Sequence, residues 1–191
     1  MSQPSVYVTR GIFPEALDLL RAVAEVKVWP EEPQPPYEVL AREAESADAL
    51  LSMVPDRIDA ALMERARRLR VVSNMAVGYN NIDVAAATRR GIYVGNTPGV
   101  LTETTADLAF ALLLSWARRI PDGRQLVREG RWRYWHPSDF LGTDVQGASL
   151  GIVGLGRIGE AVARRARAFK MRVLYHDEGR KPELERELGL T

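Results

Sequence analysis

Apolar and polar positions follow two rhythms along this chain. Short apolar runs at 6–8, 25–29, 49–53, 70–75 and 91–94 read as strands. Between them, at 14–24, 37–45, 59–69 and 82–90, apolar residues return every third or fourth position, as on one face of a helix. Strands alternating with helices over 5–96 predict a parallel sheet covered on both faces, a flavodoxin-like α/β domain. Pro14 stands in the first turn of its helix, where a missing N–H costs nothing. The prolines of 30–36 make that stretch a loop. Thr97-Pro98-Gly99 interrupts both rhythms and marks a boundary between domains 1–97 and 98–191.

Past the boundary, one helical pattern spans 102–118, with Thr102 as the expected N-cap and acids in the first turns. Its apolar content is nearly continuous, which predicts burial around most of its circumference. Residues 130–147 read as an irregular arm holding Trp132, Tyr134, Trp135 and His136-Pro137. A strand pattern returns at 149–153, then a helix at 157–169 and a strand at 172–176.

The join of that strand and helix carries the most specific chemistry. In Gly154-Leu155-Gly156-Arg157-Ile158-Gly159, Gly154 permits a tight turn, Gly156 lets the backbone approach a pyrophosphate, and Gly159 lets helix and strand pack closely. The free N–H groups near Arg157 and Ile158 point at the phosphates, whose charge the helix dipole favours. Asp177, ending the second strand, accepts hydrogen bonds from the ribose hydroxyls and repels a 2′-phosphate, so NAD is favoured over NADP. Arg180 and Lys181 lie close enough to weaken that preference, and NADP stays open. The segment is thus the first βαβ unit of a Rossmann dinucleotide-binding domain.

Composition narrows the partners. Of 191 residues, 46% are apolar and 27% charged, with a net charge of +1, so no strong basic field marks a nucleic-acid binder. The pairs Arg118-Arg119 and Arg164-Arg165 read as solvated helix faces. The absence of cysteine excludes disulfides, thiolate metal sites and cysteine nucleophiles, and fits a reducing cytoplasm. The longest apolar run, 108–116, falls well short of the roughly 20 residues of a membrane span. Met1-Ser2-Gln3-Pro4 lacks the features of a secretory leader. A cytoplasmic protein without a metal, membrane or nucleic-acid partner is expected.

Gly142-Thr143-Asp144-Val145-Gln146-Gly147-Ala148-Ser149-Leu150, leading into Gly151-Ile152-Val153, resembles the D-isomer-specific 2-hydroxyacid dehydrogenases. Three upstream segments agree: 74–83 (Asn74-Met75-Ala76-Val77-Gly78-Tyr79-Asn80-Asn81-Ile82-Asp83), Asn96-Thr97-Pro98-Gly99, and Thr102-Glu103-Thr104-Thr105-Ala106-Asp107. They look like that family's substrate loop, interdomain crossing and linking helix. The arm Arg131-Trp132-Arg133-Tyr134-Trp135 is most similar to the glyoxylate/hydroxypyruvate reductase branch. The resemblance implies NAD(P)H-dependent reduction of a small 2-oxo acid to the D-2-hydroxy acid. It implies that the backbone at Val77 and Gly78 binds the substrate carboxylate, with Leu51, Met53 and Val54 lining the cleft. Val77 and Thr105 would touch the cofactor, alongside Gly154, Leu155, Gly156, Arg157, Ile158, Gly159 and Asp177. Trp135, or Trp132, would reach a partner subunit's site in a homodimer joined around the linking helix and arm. Plainer roles stay open: Gly78 suits a turn, Thr105 a first helical turn, and the tryptophans a core.

Reduction of a 2-oxo acid needs a cation on the carboxylate and a proton donor for the developing alkoxide. The resemblance assigns these to an Arg, a Glu and a His beyond the first half of the dinucleotide domain, so no catalytic residue is expected within these 191. Neither His136 nor His176 matches that histidine. A lone βαβ unit leaves an unpaired strand edge and an uncovered face. A longer or companion polypeptide, or a truncated product with a weakened second domain, is therefore expected. Phosphoglycerate, D-lactate and formate dehydrogenases of the same family remain alternatives, as does a non-catalytic dinucleotide-binding or dimerisation module. A flavodoxin-like response domain would account for 5–96 alone and leave the glycine turn unexplained.

Overall fold

The computed structural model describes residues 3–191, so the leader reading at Met1 and Ser2 falls outside the described residues. The chain divides into two compact units, Met1–Pro98 and Gly99–Thr191.

The first unit alternates strictly: β1 (Ser5–Val8), α1 (Pro14–Arg21), β2 (Glu25–Val28), α2 (Tyr37–Ser46), β3 (Ala49–Ser52), α3 (Ala60–Arg65), β4 (Val71–Asn74), α4 (Val84–Arg89) and β5 (Tyr93–Gly95). Its sheet has the order β2-β1-β3-β4-β5, every pair parallel. This is the flavodoxin-like winding, with the change of direction between β1 and β3. Side chains alternate across the sheet. Tyr7, Leu50 and Val72 meet Leu40, Leu62, Met63 and Ala87 on one face. Val6 and Val8 meet Leu17 and Ala24 on the other.

Two helices are shorter than their periodicity predicts, and aspartates set where they start. Asp59 caps α3, its carboxylate accepting from Leu62 N at 2.9 Å, and Asp83 caps α4, accepting from Ala86 N at 2.8 Å. α3 then closes at Arg65, where Ala66 leaves the helical region, so 66–69 is a turn.

The second unit comprises α5 (Thr102–Ala117), α6 (Ile120–Arg128), β6 (Ser149–Val153), α7 (Arg157–Ala168), β7 (Arg172–His176) and α8 (Pro182–Leu188). β6 and β7 pair in parallel from Ser149↔Arg172 to Val153↔His176. Phe110 of α5, Ala163 and Ala166 of α7, Val173 of β7 and Leu188 of α8 form the core with Leu155.

Several readings are corrected here. Thr102 is already helical and caps nothing; the N-cap is Leu101, without a side-chain bond. α6 was not legible because Pro121 and Gly123 read as breakers, yet the proline sits in a first turn. The expected burial around α5 fails: only Ala106 and Phe110 are buried, while Leu108, Leu112 and the 86% exposed Trp116 face outward. One face packs on α7, and apolar composition alone does not supply a neighbour for the other. Arg164 and Arg165 are more than a solvated face. Arg165 Nε lies 2.7 Å from Asp107 and its Nη1 2.9 Å from Glu103, joining α7 to α5.

Leu62 has no exposed surface and sits amid the first core. Leu62→Ala is expected to cost about 2–5 kcal/mol, read as a lowered urea midpoint of the first unit's transition. A loss below about 1 kcal/mol would refute this packing.

Candidate functional site

All strands within each sheet run parallel, so the chemistry-bearing loops gather at their C-terminal ends. In the second unit that end carries the glycine turn. Gly154 adopts φ 91°, a left-handed conformation that other residues resist. A Cβ on Gly159 would lie 2.2 Å from the Gly154 carbonyl oxygen, so the close helix–strand approach is built into the backbone. Gly156, by contrast, faces open space, leaving room for an outside group to approach the main chain. It is also the N-cap of α7 and supplies no side-chain bond, so the N–H groups of Arg157 and Ile158 lack intrahelical acceptors.

The turn is fastened to the end of β7 twice. Gly154 N donates to His176 O at 2.7 Å, and Leu155 N donates to Asp177 Oδ2 at 2.8 Å. Leu155 therefore presents neither side chain nor N–H outward: its side chain is core, and its N–H is spent on the acid. Asp177 Oδ1 accepts from Glu178 N at 2.7 Å. These N–H donors, Leu155 foremost, hold the Asp177 carboxyl below the usual carboxylate range, so it is charged at neutral pH. Each oxygen retains acceptor capacity. Free N–H groups at a helix start, an open approach at Gly156 and an ionised acid with spare lone pairs fit a pyrophosphate and an unphosphorylated ribose.

In the first unit the loops after β1, β3 and β4 are tied by a buried polar network that the sequence reading missed. Asp56 Oδ2 accepts from Thr9 Oγ1 at 2.5 Å and from Met53 N at 2.8 Å. Asn81 Nδ2 donates to Met53 O at 3.1 Å and to Asp56 O at 2.9 Å. Asn74 Nδ2 donates to Gly78 O at 2.9 Å, and Asn74 Oδ1 accepts from Ser52 Oγ at 3.0 Å. Val77 O accepts from Asn96 Nδ2 at 2.7 Å. The network brings Met53, Val77 and Gly78 to one edge. The carbonyls of Val77 and Gly78 are tied back; among the described residues, neither N–H has an acceptor. Gly78 does not take a positive φ, so turn geometry is not what demands glycine there. Leu51 is partly buried, packed on the β1–α1 cluster, and Val54 is exposed.

Thr105 is half-buried in the first turn of α5, its N–H on Leu101 O at 3.0 Å. Trp132 and the 76% exposed Trp135 are not core residues. His136 is exposed, 2.8 Å from Ser138 Oγ, and His176 is exposed at the end of β7. Burial first, then the Glu43 and Asp56 charges, pushes the Tyr7 hydroxyl up to about 12, so it stays neutral at ordinary pH.

Comparison with known proteins follows the same lines. Residues 6–180 match the family model of the D-isomer specific 2-hydroxyacid dehydrogenase catalytic domain. The glyoxylate reductase of Thermococcus kodakarensis is 53% identical over 191 residues, covering 98% of this chain and 57% of that relative. The glyoxylate reductase of Aeropyrum pernix is 52% identical over 193 residues, covering 99% and 58% respectively. The crystal structure of the TT0316 protein from Thermus thermophilus superposes with a TM-score of 0.86 at 50% identity, over 93% of this chain and 57% of that one. The chain thus spans 57–58% of the length of these curated relatives.

Gly159→Ala is expected to destabilise the second unit by about 1–3 kcal/mol, since the clash is with backbone. Thermal unfolding measures it, and an unshifted melt would sink the close-approach account.

Proposed function

The chain belongs to the D-isomer-specific 2-hydroxyacid dehydrogenases, and on that premise we propose that it builds the cofactor and carboxylate sides of an NAD-dependent glyoxylate or hydroxypyruvate reductase. The observation that carries the reading is the glycine turn joined to Asp177, with its outward N–H groups and charged acceptor. Gly154, Gly156, Arg157, Ile158 and Gly159 would cradle the pyrophosphate, and Asp177 the ribose hydroxyls. Leu155 would act only by holding Asp177 in place. Bound there, the reduced nicotinamide supplies the hydride.

The free N–H groups of Val77 and Gly78 are the proposed seat of the substrate carboxylate, steadied by Asn74 and Asn96 behind them. Leu51 and Met53 would flank it, with Leu51 acting through packing, and Val77 and Thr105 would meet the cofactor. Identity with the two glyoxylate reductases supports a small 2-oxo acid as substrate. The proton donor is proposed to be neither histidine nor Tyr7: both histidines are exposed, and the Tyr7 hydroxyl is buried. A dinucleotide-binding module without turnover of its own is the second reading, favoured by that same placement. The cysteine-free composition suits the cytoplasm as compartment.

The partner is proposed to be a second copy of this chain. Leu108, Leu112 and Trp116 recur on one exposed face of α5, and Val127 of α6 and Trp132, Trp135 and Leu141 of the arm add apolar surface. Monomers rarely leave such a patch open. Trp135 would then reach across to the neighbour's substrate.

Three measurements test these proposals. Titration calorimetry of the 191-residue chain is expected to show NADH binding, and absorbance at 340 nm no steady loss of NADH with glyoxylate; absent binding defeats the cofactor reading, and turnover defeats the missing-donor reading. Sedimentation velocity is expected to show a dimer that Leu112→Glu converts to monomer. A wild-type monomer at tens of micromolar (~10–50 μM, where an interface of about 800 Å² per partner should hold) would overturn the dimer.

A further inference from the structure

The loop after β7 carries two cations beside Asp177, and a free cation there would attract a 2′-phosphate. Neither cation is free in this fold. Lys181 Nζ lies 3.9 Å from Asp177 Oδ2 itself. Arg180 is held in a two-pronged pair: Nη2 lies 2.5 Å from Glu185 Oε2, and Nε 3.1 Å from Glu185 Oε1. Glu185 is anchored independently of that pair. Tyr175 Oη, on β7, donates to its Oε1 at 2.6 Å, and Lys181 N donates to Tyr175 Oη at 2.8 Å. The arginine side chain is 80% exposed and the glutamate only 18%. The acid is thus the fixed member and the cation the movable one. Asp177, Arg180 and Glu185 line one cavity of about 370 Å³, so all three face the same space.

We infer that Glu185 is a specificity-determining residue: it withholds Arg180 from a phosphorylated ribose and so favours NADH over NADPH. The inference rests on the cofactor reading of the glycine turn and adds to it a residue one helix away. A guanidinium already paired with a carboxylate must break that pair before it can meet a phosphate. Asp177 repels the 2′-phosphate directly; Glu185 acts by removing the cation that would offset the repulsion. Glutamine at 185 keeps the volume and the acceptor for Tyr175 Oη and removes only the charge.

The test is calorimetric titration of the 191-residue chain with NADH and with NADPH. Glu185→Gln is expected to leave NADH affinity within about twofold and to lower the NADPH/NADH ratio of Kd by roughly two- to fivefold, the scale of one exposed ion pair. Adding Arg180→Ala to Glu185→Gln is expected to restore the wild-type ratio. Arg180→Ala alone, in which Glu185 is intact, is expected to change the ratio little. An unchanged ratio in Glu185→Gln with NADH still bound overturns the inference and leaves the cofactor reading standing. So does a loss of NADPH affinity in Arg180→Ala alone, which would mean that the arginine already reaches the phosphate. Failure of the wild type to bind either dinucleotide overturns the cofactor reading and this inference with it.

Discussion

Within each sheet of this chain, every strand runs parallel to its neighbours. Parallel strands cannot be joined by a tight turn; each return must cross over a face, and the crossover is most cheaply a helix. The alternation of β1 to β5 with four helices follows from that rule, as does a core divided between the two faces of the first sheet. The same rule gathers the strand ends. β1, β3 and β4 all point their C-termini to one edge, which is why Thr9, Met53 and Asn74, far apart in sequence, meet in a single hydrogen-bonded network. In the second unit it sets the glycine turn beside Asp177, twenty-odd residues later.

The two edges use polar groups in opposite ways. At the first, carbonyls are drawn inward by Asn74 and Asn96, and the N–H groups of Val77 and Gly78 are left over. Those donors suit a carboxylate. At the second, the start of α7 leaves N–H groups pointing out while an acid is held alongside, which suits phosphates next to hydroxyls. A buried asparagine is costly unless its amide is satisfied, and here Asn74 satisfies it by fixing the loop.

The glycine turn was legible in the sequence because its demands are local. Gly154 needs a positive φ, and Gly159, in the first turn of α7, needs the absence of a Cβ. The parallel architecture was legible for a similar reason, since short apolar runs alternate with longer segments of helical period. What was missed depends on neighbours. Asn74, Asn81 and Asp56 look like ordinary turn residues until the fold brings them together. The exposed face of α5 is apolar, and apolar composition records that a surface wants covering without recording what covers it. α6 was hidden by Pro121 and Gly123, whose effect depends on position within the helix. The double role of Asp177 was half visible: the ribose role proposed for it follows from its place after β7, and its bond to Leu155 does not.

That double role constrains how cofactor preference is built. Asp177 holds the turn through Leu155 N and is also the ionised acceptor proposed for the ribose. A substitution that removed its charge to admit a phosphate would also weaken one of the two bonds fastening the turn to β7. Preference set at Asp177 is therefore coupled to the shape of the site. Glu185 is not coupled in this way: its partners are Arg180 and Tyr175, and neither belongs to the glycine turn. In the proposed division of repulsion and cation removal between two acids, Glu185 is free to vary without disturbing the glycine turn.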